Sequence, residues 1–233
     1  MTDRTTPYAL LVHGLWHGAW CWDAVRAHLR EQGVDSVAVD LSLTDLAADV
    51  QTTRSALDQQ DRPAVLVGHS YGGAVITDAG AHPLVRHLVY LAAFELDEGE
   101  SISRVLPAED LPQTHLADAF RFSEETHEIS LDPKLGVEIL YNDVPAEVAA
   151  QASARFRPVQ RRLFRGTPEY FAWRTVPSTY VVCTEDLAVH PELERAMARR
   201  ATKTLEWPTG HCPMASRPRV VADLIARKVE EAK

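Results

Sequence analysis

Cysteine is scarce: the 233 residues hold only Cys21, Cys183 and Cys212, odd in number and far apart. Small secreted scaffolds carry dense, even sets, so no disulfide framework is expected and a reducing, cytoplasmic compartment fits better. Long apolar runs are missing as well, with no stretch near the ~20 residues of a membrane span. The N-terminus is polar through Pro7, and the apolar run behind it halts at His13-Gly14, too short for the core of a secretory signal. Basic charge is in deficit. The 24 Lys and Arg stand against 33 Asp and Glu, a net charge of −9, which argues against nucleic-acid or anionic-membrane partners. A Gly-x-x-x-x-Gly-Lys phosphate loop, internal repeats and low-complexity tracts are all absent. The chain is still long enough to bury roughly 70–75% of its unfolded surface without a metal or disulfide staple.

Short apolar runs alternate with longer segments of helical period, which marks a parallel sheet flanked by helices. Strands are expected at residues 8–12, 36–39, 64–67, 86–92, 179–183 and 203–206. Helices are expected at 22–32, closed by Gly33, then at 44–59 with Thr44 as its cap, from the 68–73 turn to about 81, at 192–200 and at 219–231. The alternation breaks over residues 95–177, where helix-like pieces lie between Pro107, Pro112, Pro133, Pro145, Pro158 and Pro168 and nothing reads as a buried strand. The domain expectation is therefore a core of 1–94 and 178–233 carrying a helical lid, 95–177, between the fourth and fifth strands.

The most specific local signal is Gly68-His69-Ser70-Tyr71-Gly72, a Gly-x-Ser-x-Gly between a strand and a helix. A serine on so sharp a turn stands exposed above the carboxyl edge of the sheet, and glycine two residues to either side lets the neighbouring backbones approach. A serine hydroxyl needs a base to take its proton, and that base needs an orienting carboxylate. His211 follows the last strand in Pro208-Thr209-Gly210-His211, at the same sheet edge. The fifth strand leads into Thr184-Glu185-Asp186, where spacing alone does not choose between the two acids; Asp40 is a weaker candidate because it precedes the serine. The order serine, acid, histidine is the one this fold class uses. Oxyanion donors are expected from the Tyr71 amide and, in the loop after the first strand, from the Leu15 amide beside Gly14. Gly14, Trp16 and His69 flank these donors and are the expected substrate contacts. His13 and His17 straddle a glycine turn and no Glu follows His13, so neither a metal nor a cofactor is expected.

Four motifs, Leu11-Val12-His13-Gly14 with His17-Gly18-Ala19-Trp20, Gly68 to Gly73, Val181 to Asp186, and Gly210-His211-Cys212-Pro213-Met214, span nearly the whole chain. In them the chain resembles the α/β-hydrolase superfamily, and more narrowly its branch of plant methyl-ester esterases, hydroxynitrile lyases and small bacterial esterases. The resemblance implies an α/β-hydrolase fold with a mostly parallel six-stranded sheet, and makes Asp186 the acid of a Ser70–His211–Asp186 triad. It implies a serine hydrolase that cleaves carboxylic esters of small, largely apolar molecules through an acyl-enzyme. The lyases carry threonine where this chain has Gly14 and lysine where it has Cys212, so ester cleavage is favoured over lyase chemistry. The same pocket also supports acyl-transfer or cyclisation. A binding module without turnover would show a damaged triad or a lost oxyanion glycine, and neither is seen.

In the lid, Phe120, Phe122, Tyr141, Phe156, Phe164 and Trp173 offer an apolar lining or simply packing onto the sheet. Residues 95–150 hold 3 basic and 14 acidic residues, and residues 151–177 hold 6 basic and 1 acidic. That asymmetry suggests that the two parts of the lid pair with each other. The cluster Arg155, Arg157, Arg161, Arg162 and Arg165 is either an anion site or a solvated face.

Overall fold

A computed structural model describes residues 5–106 and 114–233. Pro107 and Pro112 lie outside the described residues, as do residues 1–4 of the polar N-terminus. The chain runs β1 (Tyr8–Val12), α1 (Asp23–Glu31), β2 (Ser36–Ala38), α2 (Leu46–Gln60), β3 (Ala64–His69), α3 (Gly72–Ala79) and β4 (Val85–Leu91). Between the fourth and fifth strands of the main sheet come α4 (Ile102–Val105), β5 (Phe120–Ser123), β6 (Glu128–Leu131), α5 (Pro133–Leu140), α6 (Ala146–Ser153) and β7 (Val159–Gln160). The chain closes with β8 (Ser178–Cys183), α7 (Pro191–Ala198), β9 (Lys203–Trp207), α8 (Pro213–Ser216) and α9 (Pro218–Glu231).

Six strands form one sheet in the order β2-β1-β3-β4-β8-β9, and every pairing in it is parallel. The fully buried runs of β1, β3 and β8 are apolar without alternation because a parallel sheet is covered on both faces. The outer strands β2 and β9 are partly exposed. Helix α1 packs on α9 and α2 on α3, and α9 and α3 each reach β1 and β3. From β1 the chain steps outward to β2, then returns across β1 to β3. The loops leaving β1 and β3 thus diverge at adjacent carboxyl ends, the switch point where α/β sheets open a crevice.

Two local expectations are corrected. The cap of α2 is Asp45, whose extended backbone lets its carboxylate accept from the Ala48 amide at 2.9 Å, while the Thr44 hydroxyl pairs with Ser42. Residues 95–177 are not helical throughout: β5, β6 and β7 form a separate antiparallel sheet. Ile129 and Leu131 bury its inner face while Glu128 and Ser130 point away from it, the period-two pattern of a half-buried strand.

Candidate active site

The turn between β3 and α3 holds Ser70 at φ 52°, a left-handed conformation that a non-glycine residue adopts at a cost of roughly 1–2 kcal/mol. Its surroundings over-determine it. A Cβ on Gly68 would stand 2.5 Å from the Gly72 carbonyl oxygen, and one on Gly72 would stand 2.5 Å from the Val12 carbonyl oxygen. The Ser70 amide donates to Leu91 O, and its carbonyl accepts from Gly73 and Phe94. Below the turn, the Tyr71 hydroxyl donates to Asp49 at 2.8 Å, which also accepts from Ser42 and the Leu43 amide; burial raises the Asp49 carboxyl above its ordinary value despite these donors.

The loops after β8 and β9 bring Asp186 and His211 together. His211 Nδ1 donates to Asp186 Oδ2 at 2.6 Å, and both side chains are buried. Asp186 Oδ1 accepts from the Ala188 and Val189 amides at 2.6 and 3.0 Å. Glu185 is exposed, and its carbonyl accepts from Asn142. The choice that spacing left open therefore falls on Asp186 in space. Asp40 is engaged elsewhere, with the Ala19 amide and Arg157. His69 Nε2 donates to the His211 carbonyl at 2.8 Å, and the two rings lie 4.8 Å apart. His211 is thereby tied to the residue next to Ser70. Among the described residues Ser70 Oγ makes no hydrogen bond to His211, a contact that is often loose without substrate.

The loop after β1 carries Leu15, whose amide, like that of Tyr71, meets no acceptor among the described residues. Two neutral histidines brace it. His13 Nδ1 donates to Gly14 O while its Nε2 accepts from the Leu41 amide. His17 Nδ1 donates to Leu15 O while its Nε2 accepts from the Tyr141 hydroxyl at 2.6 Å. Burial pushes His13 down to about 4 and His17 down to about 3, and pushes His69 well below its ordinary range. Gly14 faces the turn so closely that a Cβ there would stand 2.9 Å from Ser70 Cβ. Trp16, expected to touch substrate, is buried at φ 61°; its indole N–H donates to Ile129 O and its ring packs on Phe120 and Phe164.

Residues of 95–177 grip this loop in ways that spacing did not reveal. Arg157 Nε and Nη2 donate to His17 O at 3.0 and 2.7 Å, Nη2 also reaches Leu41 O at 3.1 Å, and the Arg157 amide bonds Trp16 O. Its arginine neighbours split: Arg155 lies over Trp20, while Arg161, Arg162 and Arg165 line one cavity of 400 Å³ with His127 and Gln160, Arg161 also lying over Phe122 and Arg162 bonding Thr44 O and facing Asp45. Among the described residues, Arg174 of the basic part pairs with the acidic part, through Asp97 and Glu98, whereas Arg157 and Arg162 face Asp40 and Asp45 outside residues 95–177. Two cavities flank the site. One of 850 Å³ runs past Leu135, Ile139, Thr184, Asp186 and Leu187, and one of 460 Å³ lies among Trp20, Cys21, Tyr141, Ala152 and Met214.

A model described as the alpha/beta hydrolase family matches residues 9–224. Methylesterase 7 of Arabidopsis thaliana is 30% identical over 243 residues, covering 93% of this chain and 94% of the relative. A carbendazim hydrolyzing esterase of Nocardioides is 31% identical over 159 residues, 60% of each chain. Among solved structures, a pyrethroid hydrolase from Sphingobium faniae superposes with a TM-score of 0.84 at 26% identity, covering 97% of this chain and 98% of that one.

Proposed function

The chain belongs to the alpha/beta hydrolase family, and from that premise we propose a carboxylesterase in which Ser70 is the nucleophile, His211 the base and Asp186 the acid that orients it. One observation carries the reading: the buried 2.6 Å Asp186–His211 pair tied through His69 to a serine in a left-handed strand-to-helix turn. With Nδ1 committed to Asp186, His211 presents Nε2 as the proton acceptor. As Ser70 Oγ attacks the ester carbonyl, its proton passes to Nε2, and the oxyanion is met by the Leu15 and Tyr71 amides, each such donor contributing roughly 3 kcal/mol to the transition state. The imidazolium returns the proton to the leaving alcohol. Water then attacks the acyl-enzyme by the same route, regenerating Ser70.

Ester cleavage fits these surroundings better than lyase chemistry. Cys212, beside His211, is a buried thiol that burial holds well above its ordinary pKa, so this position offers no cation to a departing anion. The 2.9 Å clearance at Gly14 leaves no room for a threonine beside Ser70. We read 1–94 and 178–233 as the core and 95–177 as a cap whose Leu135, Ile139 and Tyr141 border the flanking cavities. Small, largely apolar esters are the substrates that such a lining and the named relatives favour. Three unpaired, buried cysteines suit a reducing cytoplasm. A panel of p-nitrophenyl esters of increasing acyl length, an aryl methyl ester and a cyanohydrin tests the reading. Turnover of short esters that disappears in Ser70→Ala is expected, and cyanohydrin cleavage without esterase activity overturns it.

A further inference from the structure

Asp186 is not the only carboxyl buried at this corner. Glu194, on α7, has no exposed surface. Its Oε2 accepts from the Cys183 amide at 3.0 Å, and its Oε1 is buried without a hydrogen-bond partner among the described residues. The same carboxyl neighbours that of Asp186, whose charge helps to raise it. Two ionised carboxylates have only acceptors to offer each other, so a hydrogen bond between them would need one proton. The donor supply says where that proton sits. Asp186 receives three donors, from Ala188, Val189 and His211, which together favour its ionised form. Glu194 receives one. The other groups around it are the Tyr180 hydroxyl and the Cys183 thiol, both neutral, and the Arg195 guanidinium, which is engaged at the surface by Glu192 and Glu206.

We propose that Glu194 is a positioning residue, a neutral carboxylic acid whose Oε1–H donates to the Asp186 carboxylate and extends the Ser70–His211–Asp186 chain by one member. The assignment rests on the triad reading. A fourth donor on Asp186 fixes the plane of that carboxylate and so the ring of His211, while the proton stays on Glu194 throughout. Burial and the charge of Asp186 both push Glu194 well above the ordinary carboxylate range, against the weaker pull of the Cys183 amide and Arg195. Loss of its proton in alkali sets a second negative charge against Asp186 and drives the pair apart, which loosens His211.

The test compares the wild type with Glu194→Gln, which keeps an N–H donor but cannot ionise, and Glu194→Leu, of similar size with no donor. Hydrolysis of p-nitrophenyl butyrate is followed across pH. Glu194→Leu should lose about tenfold or more in kcat with KM little changed, roughly the loss of one hydrogen bond to a charged group. Glu194→Gln should restore most of that loss at neutral pH and hold its rate further into alkali than the wild type does. Infrared difference spectra taken against Glu194→Gln, which cancel the stretch of other buried acids such as Glu95, give a readout independent of turnover: a carbonyl band of a buried, protonated carboxylic acid, present for the wild type and for Ser70→Ala. Absence of that band, or wild-type kcat in folded Glu194→Leu, overturns the proposal; if Glu194→Leu does not fold, the infrared difference and the Glu194→Gln profile decide. Retained activity in Ser70→Ala refutes the triad reading itself, whereas an inactive Ser70→Ala without the band refutes only the role of Glu194.

Discussion

Arg157→Ala separates the loop after β1 from its clamp, and its cost can be worked from the contacts. Truncation removes the two N–H donors on His17 O and the one on Leu41 O, while the Arg157 amide still bonds Trp16 O. Hydrogen bonds from a charged donor contribute about 1.5–3 kcal/mol each when desolvated. The Arg157 side chain is 36% exposed, so water replaces part of each, and a total of about 2–3 kcal/mol is expected. The Asp40 contact, at 3.4 Å with Asp40 61% exposed, adds little. In a chain this size that loss lowers Tm by roughly 5–10 °C. The consequence for turnover is larger than for binding if the Leu15 amide on this loop serves as the oxyanion donor proposed above, since misaiming one such donor costs up to about 10²-fold in kcat. Arg157→Lys, with one ammonium in place of the fork, should fall between. Steady-state kinetics on a p-nitrophenyl ester, beside calorimetry on the same samples, reads both effects. A folded Arg157→Ala with unchanged kcat refutes the clamp, and a loss confined to KM means that the guanidinium touches substrate instead.

Gly72→Ala sets a Cβ 2.5 Å from Val12 O and 2.9 Å from His13 O, both backbone atoms of the central sheet edge; a loss of several kcal/mol of stability by urea unfolding is expected, where a loss under about 1 kcal/mol contradicts the packing described. Glu95 is fully buried, with both carboxyl oxygens lacking a hydrogen-bond partner among the described residues, and burial pushes it up to about 8 despite Arg200 nearby. Since its folded value exceeds the unfolded one, its neutral form supports the fold in acid, and that support is lost as pH rises from about 4.5 to about 8, by up to about 5 kcal/mol. Glu95→Gln should therefore gain on the wild type in urea midpoints at pH 9 and not at pH 4; equal midpoints at pH 9 refute this.

Much of the core is legible in the sequence because a buried parallel strand is a short continuous apolar run and a sharp turn demands glycine. The inner strands β1, β3, β4 and β8 and the Gly68–Gly72 pair follow from those two facts. The sheet of β5, β6 and β7 escaped because its strands are two to four residues long and Phe122, although on the face of Phe120 and opposite Ile129, is itself exposed; the alternation of Phe120 and Phe122, then Ile129 and Leu131, is the signal that was there to read. Contacts of long sequence separation have no such mark. Arg157 reads as one arginine among five until its partners on the β1 loop are known, and Asn142 and Glu194 are unremarkable in sequence although each meets a site loop. Adjacent acids defeat spacing for the same reason: Glu185 and Asp186 differ by which way one turn faces.

The central claim is that Ser70 is an activated nucleophile, and covalent labelling tests it most directly. Intact-mass spectrometry of the protein after exposure to a fluorophosphonate should show one adduct, peptide mapping should put it on Ser70, and Ser70→Ala should remain unlabelled. His211→Ala should slow the labelling by about 10³-fold or more. A folded wild type that resists the probe, or an adduct on another residue, contradicts the account.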